Sequence, residues 1–389
     1  MAQPASFTFE IPVRMIFGVG VSERIGEEAK QVGMKKVLIV TDEGIRNCGI
    51  LEKIETSLRK RQVEVNVFDG VEINPGSGVV EKGKRAYREN GCDALIAVGG
   101  GACLDAAKAI GVMLTNEGRI EDYDFGRKQV KNSIPSLITV TSTAGTGSEI
   151  NFWSVITDSE RKVKMNIGSP LMSPKLALVD PELTVTLPRD LTAAMGMDAL
   201  THAIEGYVSL SSSPVTDALA LQAIRVISRN LPKAVANGKN TSARYNTLLG
   251  SVLAGMVDGN AGCGNAHAIG AVLGGYYNAP HGILNAVLLP YVMEFNLIAL
   301  PEKFVEIAKA MGETTEGLSL IEAAEKAVKV VRNLSENIGI SRTLREVAVG
   351  MKKEDIPKVA EVALADMNSQ NNPRVNKVQD LIQIMGSAW

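Results

Sequence analysis

At 389 residues, with 45% hydrophobic and 22% charged side chains, the chain is long enough for two cores and too apolar to be disordered. A net charge of −2 and a pI of about 6.1 supply no basic field for nucleic acid or anionic lipid. Four scattered cysteines, Cys48, Cys92, Cys103 and Cys263, lack CxxC spacing, so a reducing cytoplasm without structural disulfides is expected.

The stretch Met1–Glu10 has no basic segment followed by an apolar run, so it is not read as a secretory leader. Gly18-Val19-Gly20 lacks a third glycine and reads as a turn. Lys36–Thr41 is a β-branched apolar run of the kind found in a strand buried on both faces. A helix over Leu51–Lys60, a strand over Glu64–Phe68 and a helix over Gly83–Glu89 follow. Ala94–Val98 is the next buried strand, and it runs into Gly99-Gly100-Gly101 and a helix from about Ala102 to Leu114. Ser136–Val140 is a further strand, closed by a loop of Thr, Ser and Gly. This alternation predicts an α/β domain over residues 1–188 with a doubly wound parallel sheet of Rossmann-like type.

The pattern changes near Pro188. Asp217–Leu231, Ser242–Val257 and Leu318–Ile338 carry apolar residues at spacings of three and four, which predicts an all-helical domain over residues 189–389. The two domains are expected to abut and leave a cleft. The apolar run Ala286–Val292 is too short to cross a bilayer.

Chemistry concentrates in two places. Three glycines at the end of a strand let a ligand approach the backbone, and the following helix N-terminus offers free N–H groups to a pyrophosphate. Asp42, just past the first buried strand, either accepts hydrogen bonds from a ribose, favouring NAD over NADP, or caps the helix after it. Thr141, Ser142, Thr146 and Ser148 form a hydroxyl-rich loop at another strand's C-terminal end. In the helical half, Asp198 and His202 are four apart and share one helix face. The chain has only three histidines, His202, His267 and His281. One carboxylate and three imidazoles suit Fe²⁺, Zn²⁺ or a similar borderline divalent ion, and not Ca²⁺ or Mg²⁺.

These motifs together resemble the group III, iron-containing, NAD(P)-dependent alcohol dehydrogenases, the family of lactaldehyde reductase and 1,3-propanediol dehydrogenase. The resemblance runs through Phe17–Gly20, Gly99-Gly100-Gly101 with Asp105 and Lys108, Thr143–Glu149, Val179–Thr184, Asp198–Glu205, Pro280-His281-Gly282 and Asn372-Pro373-Arg374. It implies a dehydroquinate-synthase-like architecture, with Asp198, His202, His267 and His281 holding the catalytic metal. It further implies that Asp42, Asn74, Gly100, Gly101, Ala102, Thr141, Ser142 and Lys164 contact the dinucleotide, with Gly99, Asp105 and Thr146 in the same loops. The implied reaction is reversible hydride transfer between NAD(H) and a small primary alcohol or aldehyde, the metal polarising the substrate oxygen. A homodimer is implied as well, with an edge strand near Phe7–Ile16 as its contact.

Three departures stand out. Ala102 replaces the family's usual serine. Ala271 stands where a further histidine is common, so no imidazole is left as a relay and the substrate proton must leave through solvent or ribose hydroxyls. Asn151, Trp153 and Cys263 are assigned to the substrate pocket, although Trp153 either shapes that pocket or packs in the core. Two rival functions are a dehydroquinate-synthase-like lyase or cyclase and a NAD-binding sensor without turnover. The first needs lysines and arginines for a phosphorylated sugar, and none occurs within 198–202 or 267–281.

Overall fold

Six short apolar strands form one parallel sheet in the computed structural model, which describes residues 6–340 and 343–389. The first five residues of the stretch examined for a leader, and positions 341–342 of the helical half, lie outside the described residues. The chain divides into two compact units. One takes Ile11–Thr143 and Gly147–Leu187; the other takes Pro188–Trp389, Ala144–Thr146 and the described residues before Ile11.

In the first unit the strands are β1 (Arg14–Phe17), β2 (Lys36–Val40), β3 (Glu64–Phe68), β4 (Ala94–Gly99), β5 (Leu137–Thr141) and, after a hairpin, β8 (Leu176–Val179). Their order is β1-β8-β5-β4-β2-β3, and every pairing is parallel. Strands β4 and β5 are buried along their whole length, as their Val, Ile, Leu and Ala content requires between two helical layers. Helices α1 (Ile25–Gln31), α2 (Glu43–Asn47), α3 (Ile50–Lys60), α4 (Ser77–Glu89) and α5 (Gly101–Thr115) cover the two faces. In α3 the buried residues Ile50, Leu51, Ile54 and Leu58 recur at helical spacing, so one stripe faces the sheet. Strand order reverses between β2 and β4, because β2 leads outward to β3 while β4 leads the other way to β5. Ligands of open sheets collect beyond the strand ends at such a point.

Two features depart from the sequence reading. The edge strand is only Arg14–Phe17, at the end of the expected Phe7–Ile16; the described residues before it are not in a strand. Residues 153–168 form an antiparallel hairpin outside the parallel sheet, with β6 (Trp153–Asp158) paired to β7 (Val163–Gly168). The turn at Gly18–Gly20 has a structural anchor. Buried Asp180 accepts hydrogen bonds from the Gly20 and Ser22 amides and from the Ser22 hydroxyl, which ties the first turn to the end of β8.

The second unit is helical. Helices α6 (Arg189–Val208), α7 (Pro214–Ala236), α8 (Thr241–Ala261), α9 (Asn265–Tyr277), α10 (His281–Asn296), α11 (Pro301–Ala310) and α12 (Leu320–Asn337) are followed by four shorter ones. Ser213 and Ser319 cap α7 and α12 through reciprocal bonds with Thr216 and Glu322. Helix α6 is apolar nearly all round and buried over most of its length, which marks it as the central helix of this unit. The segment His281–Ala299 is longer than the apolar run considered from sequence. It is long and apolar enough to cross a membrane by composition, yet 67% of its most apolar window is buried in the fold, as in a core helix.

Candidate metal centre and glycine loop

Three helices of the second unit bring their polar residues to one buried place. Along α6, Asp198, His202 and Glu205 follow at i, i+4 and i+7, so two carboxylates and an imidazole share one face of an otherwise apolar helix. His267 stands in the first turn of α9 and His281 is the first residue of α10. The start of α10 presses on α6: a Cβ on Gly282 would lie 2.6 Å from the Ala194 carbonyl oxygen, so only glycine allows His281 to begin the helix here. That contact is the physical content of Pro280-His281-Gly282.

His267 is the hub. Its Nε2 lies 3.8 Å from Asp198 Oδ1, and His281 Nε2 lies 3.9 Å from the same oxygen. The His267 ring centroid is 4.2 Å from that of His202 and 5.4 Å from that of His281. Donor atoms of Asp198, His267 and His281 form one mutually close triad, and those of His202, Cys263 and His267 form a second. The sequence missed the residues that orient these donors. Glu205, fully enclosed, accepts from the amides of Gly264 and Ala266 and lies 2.7 Å from His267 Nδ1. This pairing puts the proton on Nδ1 and leaves Nε2 as an acceptor. Asn285, one turn into α10, donates to Asp198 Oδ1 at 2.8 Å and lies 3.1 Å from His281 Nε2.

Electrostatics follow from this packing. Burial alone would raise the Asp198 pKa, but His202, His281 and His267 together hold it below the usual carboxylate value. Burial lowers that of His202, helped by His267, so its imidazole is held neutral. Burial works in the same sense on His267, and the Glu205 hydrogen bond and charge overcome it and raise its pKa. Asp198 Oδ2, His202 Nδ1 and His267 Nε2 are buried with no hydrogen-bond partner among the described residues. Buried polar atoms are rarely left so. Lone pairs gathered in this way fit a borderline divalent cation such as Fe²⁺ or Zn²⁺.

In the first unit, Gly99–Gly101 lies where β4 meets α5, beside the β2 end carrying Asp42. The φ of Gly99 is +146°, and a Cβ there would sit 2.6 Å from Cys103 Sγ, so position 99 needs glycine. No side chain caps α5, which leaves its first amides available. Thr41 Oγ1 donates to the Val98 carbonyl and Ser142 N to the Gly99 carbonyl, knitting three strand ends together. Asp42 is the cap of α2, Oδ1 accepting from Ile45 N at 2.9 Å, while Oδ2 accepts from Cys103 Sγ at 3.2 Å. The capping role is thus realised. Thr141 and Ser142 are buried at the end of β5, and Asn74, Ala102 and Lys164 are half-buried in the β3–α4 connection, the first turn of α5 and β7.

Other expected residues serve the fold here. Asp105 accepts from Ser148 Oγ and Val155 N. Lys108, wholly enclosed, donates to the Ser148 and Trp153 carbonyls and to Asn151 Oδ1. Asn151 is thus a buried connector, its Oδ1 also accepting from Trp153 N. Trp153 packs against Phe152, Phe125 and the bare Cα of Gly168, so it belongs to a local aromatic cluster. Cys263 is in the other unit, against His202 and His267, and Thr146 is in the short segment grouped with the helices. Ala271 lies half-buried one turn beyond His267.

Comparison with known proteins finds relatives over nearly the whole chain. Residues 12–181 match the iron-containing alcohol dehydrogenase family and residues 192–389 match its C-terminal part. The 1,3-propanediol dehydrogenase of Citrobacter freundii is 45% identical over 385 residues, covering 98% of this chain and 99% of that one. The NAD-dependent methanol dehydrogenase of Bacillus methanolicus is 43% identical over 380 residues, with 98% and 99% covered. A crystal structure of 1,3-propanediol oxidoreductase superposes with a TM-score of 0.95 at 45% identity, over 99% of this chain and all of that one.

Proposed function

The chain belongs to the iron-containing alcohol dehydrogenase family, and on that premise we propose that it interconverts small primary alcohols and aldehydes with NAD(H) at a divalent metal. It is an oxidoreductase of the alcohol dehydrogenase type. The relatives compared above act, by their names, on 1,3-propanediol and methanol, and the class common to both is a short primary alcohol. The observation carrying this reading is the convergence of Asp198, His202, His267 and His281, with Asp198 Oδ2, His202 Nδ1 and His267 Nε2 buried and without a hydrogen-bond partner among the described residues.

We assign these four residues as ligands, with Fe²⁺ the first choice and Zn²⁺ the alternative. When bound, such an ion supplies Lewis-acid polarisation of the substrate oxygen. Glu205 keeps the His267 proton on Nδ1 and Asn285 holds the Asp198 carboxylate in place. In the first unit, the bare amides of Gly100 and Gly101 at the start of α5 receive the pyrophosphate. Asp42 keeps lone pairs beyond its cap for a ribose, and its charge disfavours a 2′-phosphate. Asn74, Ala102, Thr141, Ser142 and Lys164 complete the proposed dinucleotide set. All three imidazoles stand in the centre and Ala271 offers none, so no histidine of the chain is left to take the hydroxyl proton, which would leave to solvent.

Anaerobically purified protein is assayed for NADH oxidation with a panel of small aldehydes and for NAD reduction with the matching alcohols. Turnover on short unbranched substrates is the expected result. NADH binding without turnover on any of them overturns the dehydrogenase reading. We also propose a cytoplasmic homodimer joined at the β1 edge of the sheet, supported by four free cysteines and by the place of β1 at the end of the strand order. Light scattering that returns the monomer mass of 41.4 kDa rejects the dimer.

A further inference from the structure

The loop Gly262-Cys263-Gly264 joins α8 to α9 directly beside the metal-centre histidines. Cys263 is buried, and its Sγ lies within 4.8 Å of donor nitrogens of both His202 and His267. Those two residues are more than nine-tenths buried and contribute His202 Nδ1 and His267 Nε2, buried nitrogens with no hydrogen-bond partner among the described residues. The loop is held by Glu205, which accepts from the amides of Gly264 and Ala266. The sulfur itself donates to Asp258 Oδ1 at 3.0 Å.

We propose that Cys263 is a further ligand of the centre, its thiolate binding a thiophilic divalent cation such as Zn²⁺ together with His202 and His267. This rests on the assignment of those histidines as ligands made above. The two donor triads share His267, so Cys263 adds a soft sulfur to a set otherwise made of nitrogen and carboxylate oxygen. Imidazole and carboxylate discriminate poorly between Fe²⁺ and Zn²⁺, whereas thiolate favours zinc. On binding, the S–H bond breaks and the sulfur–metal bond forms. The proton passes to Asp258, which already accepts it and is half-exposed to solvent. No electron is transferred.

Cobalt is the probe. Chelated full-length protein is titrated with Co²⁺, and wild type is compared with Cys263→Ser by absorption spectroscopy, with circular dichroism as the check on folding. The wild type is expected to show visible d–d bands and a near-ultraviolet thiolate-to-cobalt charge-transfer band. In Cys263→Ser the charge-transfer band disappears, the d–d bands stay, and the Zn²⁺ Kd rises about 10- to 100-fold while that for Fe²⁺ changes less. Wild-type d–d bands without charge transfer, or a charge-transfer band that survives Cys263→Ser, overturn the proposal and leave the metal centre standing. No cobalt bands of any kind overturn both. Should the variant not fold, cadmium NMR of the wild type decides, because a thiolate ligand moves the resonance far downfield of a nitrogen and oxygen site.

Discussion

The two candidate regions are built on opposite plans. In the helical unit the chemistry is carried by side chains that the fold encloses and leaves unsatisfied: Asp198 Oδ2, His202 Nδ1 and His267 Nε2. In the sheet unit the polar side chains near the glycine loop are mostly engaged by the fold, Asp42 as a cap, Asp105 by Ser148 and Lys108 by the 148–153 loop. What that region offers a ligand is the uncapped start of α5, at the amides of Gly100 and Gly101. A cation needs lone pairs held in place without a competing donor. A pyrophosphate needs amides and room, and side chains around it serve best by fixing the backbone.

The sharpest way to break this contrast is to remove a lone pair from the first region. Asp198→Ala is expected to lose bound metal by elemental analysis and to lower kcat/KM by more than about 10³-fold, the scale of several kcal/mol of charge stabilisation. Retention of both metal and activity would mean that the convergence on α6 is structural. A smaller effect is expected one layer out. Glu205→Gln keeps an acceptor for His267 Nδ1 but removes the charge, so metal affinity should fall about 10- to 100-fold with little change in secondary structure. An unchanged metal Kd would show that the hydrogen bond suffices without the charge.

Stability experiments separate the regions further. Gly282→Ala puts a Cβ against the Ala194 carbonyl and should cost about 1–3 kcal/mol in denaturant unfolding, because α10 must shift and take His281 with it. In the sheet unit, wholly buried Glu149 has its pKa raised by burial to about 7, against the opposing pull of Lys108 and Thr141. Its pKa is higher folded than unfolded, so it contributes stability that is full below about pH 4.5 and is lost as pH rises through about 7. Glu149→Gln should abolish that decline, on the order of 1–3 kcal/mol between about pH 5 and 8. A parallel pH profile in wild type and variant would contradict it. The smallest effect is that of Asp42→Asn, which preserves the cap and so the Tm. Its measurable consequence is a lower ratio of NADH to NADPH kcat/KM, and an unchanged ratio would leave Asp42 only its capping role.

How much of this was legible in the sequence follows from the same contrast. Strands β2, β4 and β5 could be read because each is a run of Val, Ile and Leu bounded by turn residues. The hairpin β6–β7 could not, since Trp153–Asp158 and Val163–Gly168 interleave polar with apolar residues and are joined by the charged turn Ser159–Lys162. The residues proposed as metal ligands stand out in the sequence through scarcity, as three histidines in 389 residues leave few ways to be distributed. Glu205 and Asn285 do not, although Glu205 follows His202 at the spacing that keeps it on the same face of α6. Their roles depend on α9 and α10 meeting α6, and no local pattern encodes that meeting. Asp105, in the second turn of α5, and Asn151, ahead of β6, read as ligand contacts through the family resemblance. Enclosed Lys108 and its partners draw them into the fold instead.

The central claim is that the fold encloses one cation among Asp198, His202, His267 and His281. Anomalous scattering from crystals of metal-loaded protein, recorded on either side of the iron and zinc absorption edges, tests it most directly. The account predicts a single strong peak in contact with Asp198, His202 and His267 and within reach of His281, with Cys263 Sγ at bonding distance in zinc-loaded crystals. A peak elsewhere, or none in protein shown to contain stoichiometric metal, would contradict it.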